Sequence, residues 1–255
     1  MTADKPVLVL PWRLPLACLV SALAIWATDS NQVLFLAVNG MAQRLPADML
    51  LAITLLGNVL AGTAMIAGSL PRYPRMIWAA VLAAPLGVVF VRGLKPLFDL
   101  PRPAGVFPPD VISIVGPTLK TMSFPSGHAT TAFVFAAVIQ VLASDRRVKV
   151  LALATAVAVA ASRIAVGAHW PLDVLVAAAG GWICGYVGAE WSKRLAWTGS
   201  ERGRLGAALI VTAAAVGLMI FTHYDVSGEA FMGRLLALGA LVCVGSVFRQ
   251  VAGTR

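Results

Sequence analysis

The sequence predicts an all-α protein, a polytopic bundle of membrane-spanning helices forming a single domain over residues 1–255. Charged residues make up only 12% of the chain, against ~25% in an ordinary soluble domain. Hydrophobic residues make up 59%, and the mean hydropathy is +0.85. Apolar runs of about 16–22 residues recur from end to end, and a helical span needs ~20.

Spans are expected at residues 14–29, 49–70, 76–94, 127–144, 148–166, 171–191, 205–222 and 229–247. The first follows Lys5 and Arg13 as a secretory leader would, but Ala27-Thr28-Asp29 is a poor cleavage site, so an uncleaved span is expected. Residues 31–43 suit an interfacial segment before the second span. The third span ends at a long connection, Lys95 to Phe124, stiffened by Pro96, Pro101, Pro103, Pro108, Pro109 and Pro117. Loops of this length without structure of their own are usually functional or disordered. Its apolar stretch, Val111 to Val115, is expected to lie along the membrane surface beside the site.

The fourth span opens on Pro125-Ser126-Gly127-His128, with Ser126 a natural N-cap. The fifth closes on Ser162-Arg163. The sixth opens on His169-Trp170-Pro171-Leu172-Asp173, with Pro171 suited to a first helical turn. The last two spans carry no motif, and His223, Tyr224 and Asp225 between them read as an interfacial turn. Trp12, Trp26, Trp170 and Trp191 fall near span ends, as interfacial anchors do, and Trp170 also adjoins His169 as a possible wall of a site. Cys18, Cys184 and Cys243 lie inside apolar runs at spacings that suit neither a metal site nor a disulfide.

The formal charge of +9 would raise a nucleic-acid reading in a soluble protein, but here the basic residues cluster in short loops and no basic-aromatic surface appears. With the N-terminus in the cytoplasm, cytoplasmic segments carry thirteen cations: Lys5, Arg13, Arg72, Arg75, Arg146, Arg147, Lys149, Lys193, Arg194, Arg202, Arg204, Arg249 and Arg255. The other face carries six: Arg44, Arg92, Lys95, Arg102, Lys120 and Arg163, with Arg234 inside a run and uncounted. This is the bias that loop charges impose on orientation.

Three polar clusters carry chemistry, and all fall on the non-cytoplasmic face. If helical geometry begins near His169, the four-residue spacing brings Asp173 within reach of it. A carboxylate on one ring nitrogen fixes the tautomer and leaves the other nitrogen to attack. Taken alone, the pair describes equally well a helix whose acid offsets the positive N-terminal end. His128 stands at a helix start, where free N–H groups bind an anion, Gly127 admits close approach, and an imidazole can serve as general acid; taken alone, the motif describes equally well an ordinary helix cap with an interfacial histidine. Lys95, Arg102 and Arg163 supply fixed positive charge of the kind that stabilises a transferring phosphoryl group. Arg163 is costly at the end of an apolar run unless it faces a partner. Arg92, Lys120 and Arg44 read as interfacial cations meeting lipid headgroups. Asp99 and Asp110 are scattered in the long loop and read as solvated, so no acidic cluster for Mg²⁺ is foreseen on this face.

The clusters together resemble the type 2 phosphatidic acid phosphatase superfamily, which includes lipid phosphatases, glucose-6-phosphatase, bacterial acid phosphatases and vanadium haloperoxidases. Its pattern is a lysine, six residues, Arg-Pro; then Pro-Ser-Gly-His; then Ser-Arg, five residues, His, three residues, Asp. Lys95 to Arg102-Pro103, Pro125 to His128, and Ser162-Arg163 to His169 and Asp173 match it without a gap. The resemblance implies His169 as nucleophile, Asp173 as its orienting partner and His128 as general acid. It implies that Lys95, Arg102, Ser126, Gly127 and Arg163 bind phosphate, with no metal or other cofactor. It also implies a six-span core over about residues 14–191, with two extra C-terminal spans at about 205–247.

The expected activity is that of a membrane lipid phosphatase, with undecaprenyl diphosphate as the first substrate and phosphatidylglycerophosphate, phosphatidate or lipid A as alternatives. A lipid phosphotransferase using the same phosphohistidine, or a non-enzymatic lipid-binding or transport protein, are the competing readings. The expected location is a bacterial inner membrane with the site on the periplasmic face. The expected partner is a lipid in the bilayer and not nucleic acid; oligomeric state is left open.

Overall fold

Eleven α-helices, connected by short turns and one long loop, build the described part of the chain, residues 12–221 and 227–252 of a computed structural model. His223, Tyr224 and Asp225 lie outside the described residues. Helix α1 (Arg13–Ala27) ends where the Thr28 hydroxyl bonds back to Ala24 O, and α2 (Asn31–Ala42) leaves at 108°. The following helices are α3 (Ala47–Leu55), α4 (Val59–Met65, continued by a short 3-10 turn, Ile66–Ser69), α5 (Arg75–Phe98) and the single turn α6 (Pro103–Val106). Then come α7 (Gly127–Leu142), α8 (Arg146–Ala165), α9 (Pro171–Arg194), α10 (Glu201–Phe221) and α11 (Ser227–Ala252). No strand occurs among the described residues.

Five of these helices, α5 and α8 to α11, are long and apolar enough to cross a membrane alone, and each bent pair, α1/α2 and α3/α4, passes the same test jointly. Helix α7 is apolar but short, at 16 residues. The protein is an integral membrane protein. Helix α9 is the axis of the bundle, packed on α7, α5 and α1. Gly181 and Gly185 let α7 approach, since a Cβ on either would strike the Thr130 or Val134 carbonyl. Small residues at such contacts replace the hydrophobic drive that lipid surroundings remove. Helices α10 and α11 pair with each other and lean on α4 and α3.

Three sequence expectations change. The second span, 49–70, is not one helix: α3 and α4 meet at 76°. Gly57 at the break has no room for a Cβ, which would fall 2.7 Å from Val159 Cγ1 and 2.9 Å from His128 Cβ, and Asn58 caps α4 by accepting from Leu60 N at 2.8 Å. The third span runs on to Phe98, so Lys95 stands on a helix and the long loop begins only at Asp99. The stretch Val111–Val115 is tied into the bundle rather than laid over it, although Val111 itself is exposed. Ile112 is buried with Phe35 and Trp170, and the Asn39 carboxamide both donates to Ser113 O and accepts from Ser113 N, each at 2.8 Å. An irregular backbone inside a bundle needs such partners.

Candidate active site

All the expected site residues gather at one end of the bundle, where α5 and α8 end and α7 and α9 begin. His169 is built into its place by α8. The carbonyl of Arg163 accepts from both Ala168 N and His169 N at 3.1 Å, which explains why Arg163 and His169 stand at a fixed separation. The intervening Gly167 has φ +76°, and a Cβ there would lie 2.6 Å from Ser113 O. Only glycine suits both demands.

His169 and Asp173 are buried, and Nδ1 lies 3.3 Å from Asp173 Oδ2. That same oxygen accepts from Trp170 N at 2.9 Å and from the Ser123 hydroxyl. The helix proper starts at Pro171, so Asp173 caps it through Trp170 N while holding the imidazole: the two roles weighed from sequence coexist. Across the ring, Nε2 lies 3.3 Å from Arg102 Nη1. A carboxylate only accepts and a guanidinium only donates. Both contacts therefore require one tautomer, with the proton on Nδ1 and a bare lone pair on Nε2. Burial, opposed by the Asp173 hydrogen bond and charge, lowers the His169 pKa from its ordinary value to about 4, so the ring is neutral near pH 7.

Arg102 is held as firmly as the histidine. Its Nε donates to Thr121 O and Nη1 to Ala168 O, both at 2.9 Å, and its backbone N donates to Lys120 O at 2.9 Å. The Lys95 ammonium donates to Met122 O in the same loop. Arg163 keeps a buried Nε with no partner. Ser126 departs from expectation. It holds the N-cap position of α7, but its side chain makes no capping bond, and its fully buried Oγ has no partner. A buried hydroxyl left unpaired costs ~1–3 kcal/mol, a cost that a bound oxyanion would remove. Gly127 has only an ordinary neighbour, Val91 Cγ1 at 3.8 Å from a would-be Cβ, so the space beside it is open. His128 is half-buried on the first turn of α7 and feels the charges of Arg163, His169 and Arg102.

The family model described as "PAP2 superfamily" matches residues 76–197. A crystal structure of Aquifex aeolicus LpxE superposes with a TM-score of 0.56 at 30% identity, covering 63% of this chain and 94% of that one. The chain belongs to the PAP2 superfamily. Over a shorter stretch, 72 residues, it is 39% identical to an undecaprenyl-diphosphatase of Sulfolobus acidocaldarius, which is 28% of this chain and 32% of that protein. The chain thus matches about a third of the length of that curated relative. A PAP2 type phosphatidylglycerolphosphate phosphatase from Bacillus subtilis shares the fold, with a TM-score of 0.51 at 23% identity over 72% of this chain and 96% of that one.

Within this PAP2 chain, Lys95, Arg102, Ser126, Gly127, His128, Arg163, His169 and Asp173 all fall inside the matched stretch, whereas α1–α4, α10 and α11 lie outside it. Several contributors escaped the sequence reading. Ser123 is the second side chain on Asp173. Asn39 ties α2 to the site loop and to Ala165 O at 2.9 Å. Trp170, read from the sequence as an interfacial anchor or as a wall of the site, is buried: it donates from Nε1 to Pro101 O at 2.8 Å and meets Phe35 edge-on at 5.1 Å. Glu229 on α11 lies within electrostatic reach of Arg163. Helix periodicity carries no signal for such cross-bundle partners.

Proposed function

We propose that this PAP2 membrane protein is a phosphatase acting on a phosphorylated lipid through a phosphohistidine at His169. The observation that carries the reading is the double clamp on that ring, Asp173 on one edge and Arg102 on the other, which leaves Nε2 unprotonated beside a fixed cation. Substrate phosphate takes its place among Lys95, Arg102, Arg163, the Ser126 hydroxyl and the opening N–H groups of α7. These fixed donors stabilise charge on the equatorial oxygens as the phosphorus becomes five-coordinate.

Nε2 attacks phosphorus, the bond to the leaving oxygen breaks, and His128 donates the proton that this oxygen needs. Asp173 balances the positive charge that develops on the imidazole. Water then attacks the phosphohistidine, giving its proton to His128, and the N–P bond breaks to release phosphate and neutral His169. No step calls for a metal ion.

A polyprenyl diphosphate of the undecaprenyl type is the first substrate, in keeping with the activity named for the Sulfolobus relative. Phosphatidylglycerophosphate, phosphatidate and lipid A phosphate remain alternatives for the same chemistry. The distribution of loop charge supports a site on the non-cytoplasmic face, which in a bacterial inner membrane is the periplasmic side. Purified protein assayed in EDTA against prenyl diphosphates and phospholipid monoesters tests the reading: free phosphate from at least one lipid supports it. Transfer of label to a second lipid without free phosphate would make the protein a transferase, and no turnover of any would refute the activity.

A further inference from the structure

An apolar groove of about 680 Å³ starts at the site, with Gly127 and His128 in its wall, and continues away from it between α4, α5, α7 and α10. Along α5 it is lined from Arg92 down to Ile77. Fifteen residues at ~1.5 Å each give a length of roughly 22 Å. One leaflet of hydrocarbon is only ~15 Å deep, half of a ~30 Å core. Val59, Val81 and Val88 line the groove and are also exposed, so it is open sideways to lipid between α4 and α5. Its far wall is α10, through Ile210, Ala213 and Ala214, and α10 lies beyond the residues that the family model matches.

Resting on the proposed phosphatase reading, we infer that this groove holds the hydrocarbon chain of the substrate, and that α10 makes the site selective for a single chain longer than one leaflet, such as a polyprenyl. Continuity with His128 fixes the occupant: whatever chain carries the reacting phosphate enters beside the group that protonates its leaving oxygen. Arg92 at the site end suits a second phosphate or other anionic headgroup group, and the remainder suits only hydrocarbon. A lipid tail is already in apolar surroundings, so the groove gains little from hydrophobicity and discriminates by shape. Small side chains set that shape. Ala84 of α5 and Ala213 of α10 both line the groove and are exposed, so bulk added there enters the groove without overpacking the core.

Two measurements decide the matter. A polyprenyl diphosphate bearing a diazirine near the end of its chain is photolysed with His169→Ala protein in nanodiscs, and the adducts are mapped. Adducts on residues 77–84 and 210–214, lost in Ala84→Trp, are expected; adducts confined to the outer faces of other helices, or unaffected by Ala84→Trp, would overturn the inference. In the second, the ratio of kcat/KM for a C55 to a C15 prenyl diphosphate is compared between wild type and Ala213→Trp. The ratio should fall at least tenfold, and an unchanged ratio would contradict a role for α10. Wild-type protein that hydrolyses neither substrate would sink the phosphatase reading, while the labelling result still decides the groove.

Discussion

Arg102 Nη1 stands 3.3 Å from His169 Nε2, on the edge of the ring opposite Asp173. The arginine is anchored by loop and turn carbonyls at Thr121 and Ala168, so its position does not depend on substrate. It donates toward Nε2, which keeps that nitrogen unprotonated, and in the proposed mechanism it also binds the substrate phosphate. Arg102→Lys retains the charge but cannot reproduce the planar fork. Loss of one such donor typically costs ~10²–10³ in kcat, and a fall of about that size is expected for Arg102→Lys. Activity within a few-fold of wild type would remove Arg102 from the reaction.

Ser123 is fully buried and donates to the Asp173 oxygen that also holds His169. Hydrogen bonds to a charged group contribute ~1.5–3 kcal/mol. Ser123→Ala should therefore lower kcat by about tenfold or more, while Ser123→Thr, which keeps the hydroxyl, should recover part of the loss. Equal defects in the two variants would mean that packing rather than the hydrogen bond matters.

The pH dependence follows from the His169 pKa of about 4. The reactive form is neutral, so it is present above that value and lost below it. The acid limb of single-turnover phosphoenzyme formation should lie near pH 4 and not near the ordinary ~6.5 of histidine. Asp173→Asn removes the charge that raises this pKa, so the limb should shift further to acid even as the rate drops. A limb near pH 6.5 in wild type would show that the ring is less buried in the working protein.

Most of the helices were legible in the sequence because a membrane demands long apolar runs: α8 and α9 start within two residues of expectation. That the candidate site residues would gather was legible because their spacing follows local structure, as in the Arg163 carbonyl that fixes His169. What stayed hidden was set by distant partners. The α3/α4 break arises where Gly57 meets His128 and Val159, residues more than seventy positions away. The burial of Ile112 depends on Phe35 and Trp170, and Asn39 looks like an ordinary residue of a short helix until it reaches Ser113. An apolar run records that a segment is greasy, not where it bends.

Sidedness rests on loop charge and can be read directly. Thr118 is exposed in the long loop and Ser144 is exposed at the opposite end of α7, whereas Ser113 is half-buried against Asn39 and is a poorer reporter. Thr118→Cys should react with a membrane-impermeant thiol reagent in spheroplasts, and Ser144→Cys should not. The native Cys18, Cys184 and Cys243 are buried or half-buried and should give little background. The reverse pattern would invert the protein and place its substrate in the cytoplasmic leaflet.

The central claim is that phosphate passes through His169. Protein is mixed with lipid substrate labelled with ³²P at the reacting phosphate, quenched in alkali within milliseconds, and digested for mapping. The account predicts an alkali-stable, acid-labile phosphate on the peptide containing His169, absent in His169→Ala and accumulating when the hydrolytic step is slowed. A His169→Ala protein that still turns over lipid, or label found on any other residue, would contradict it.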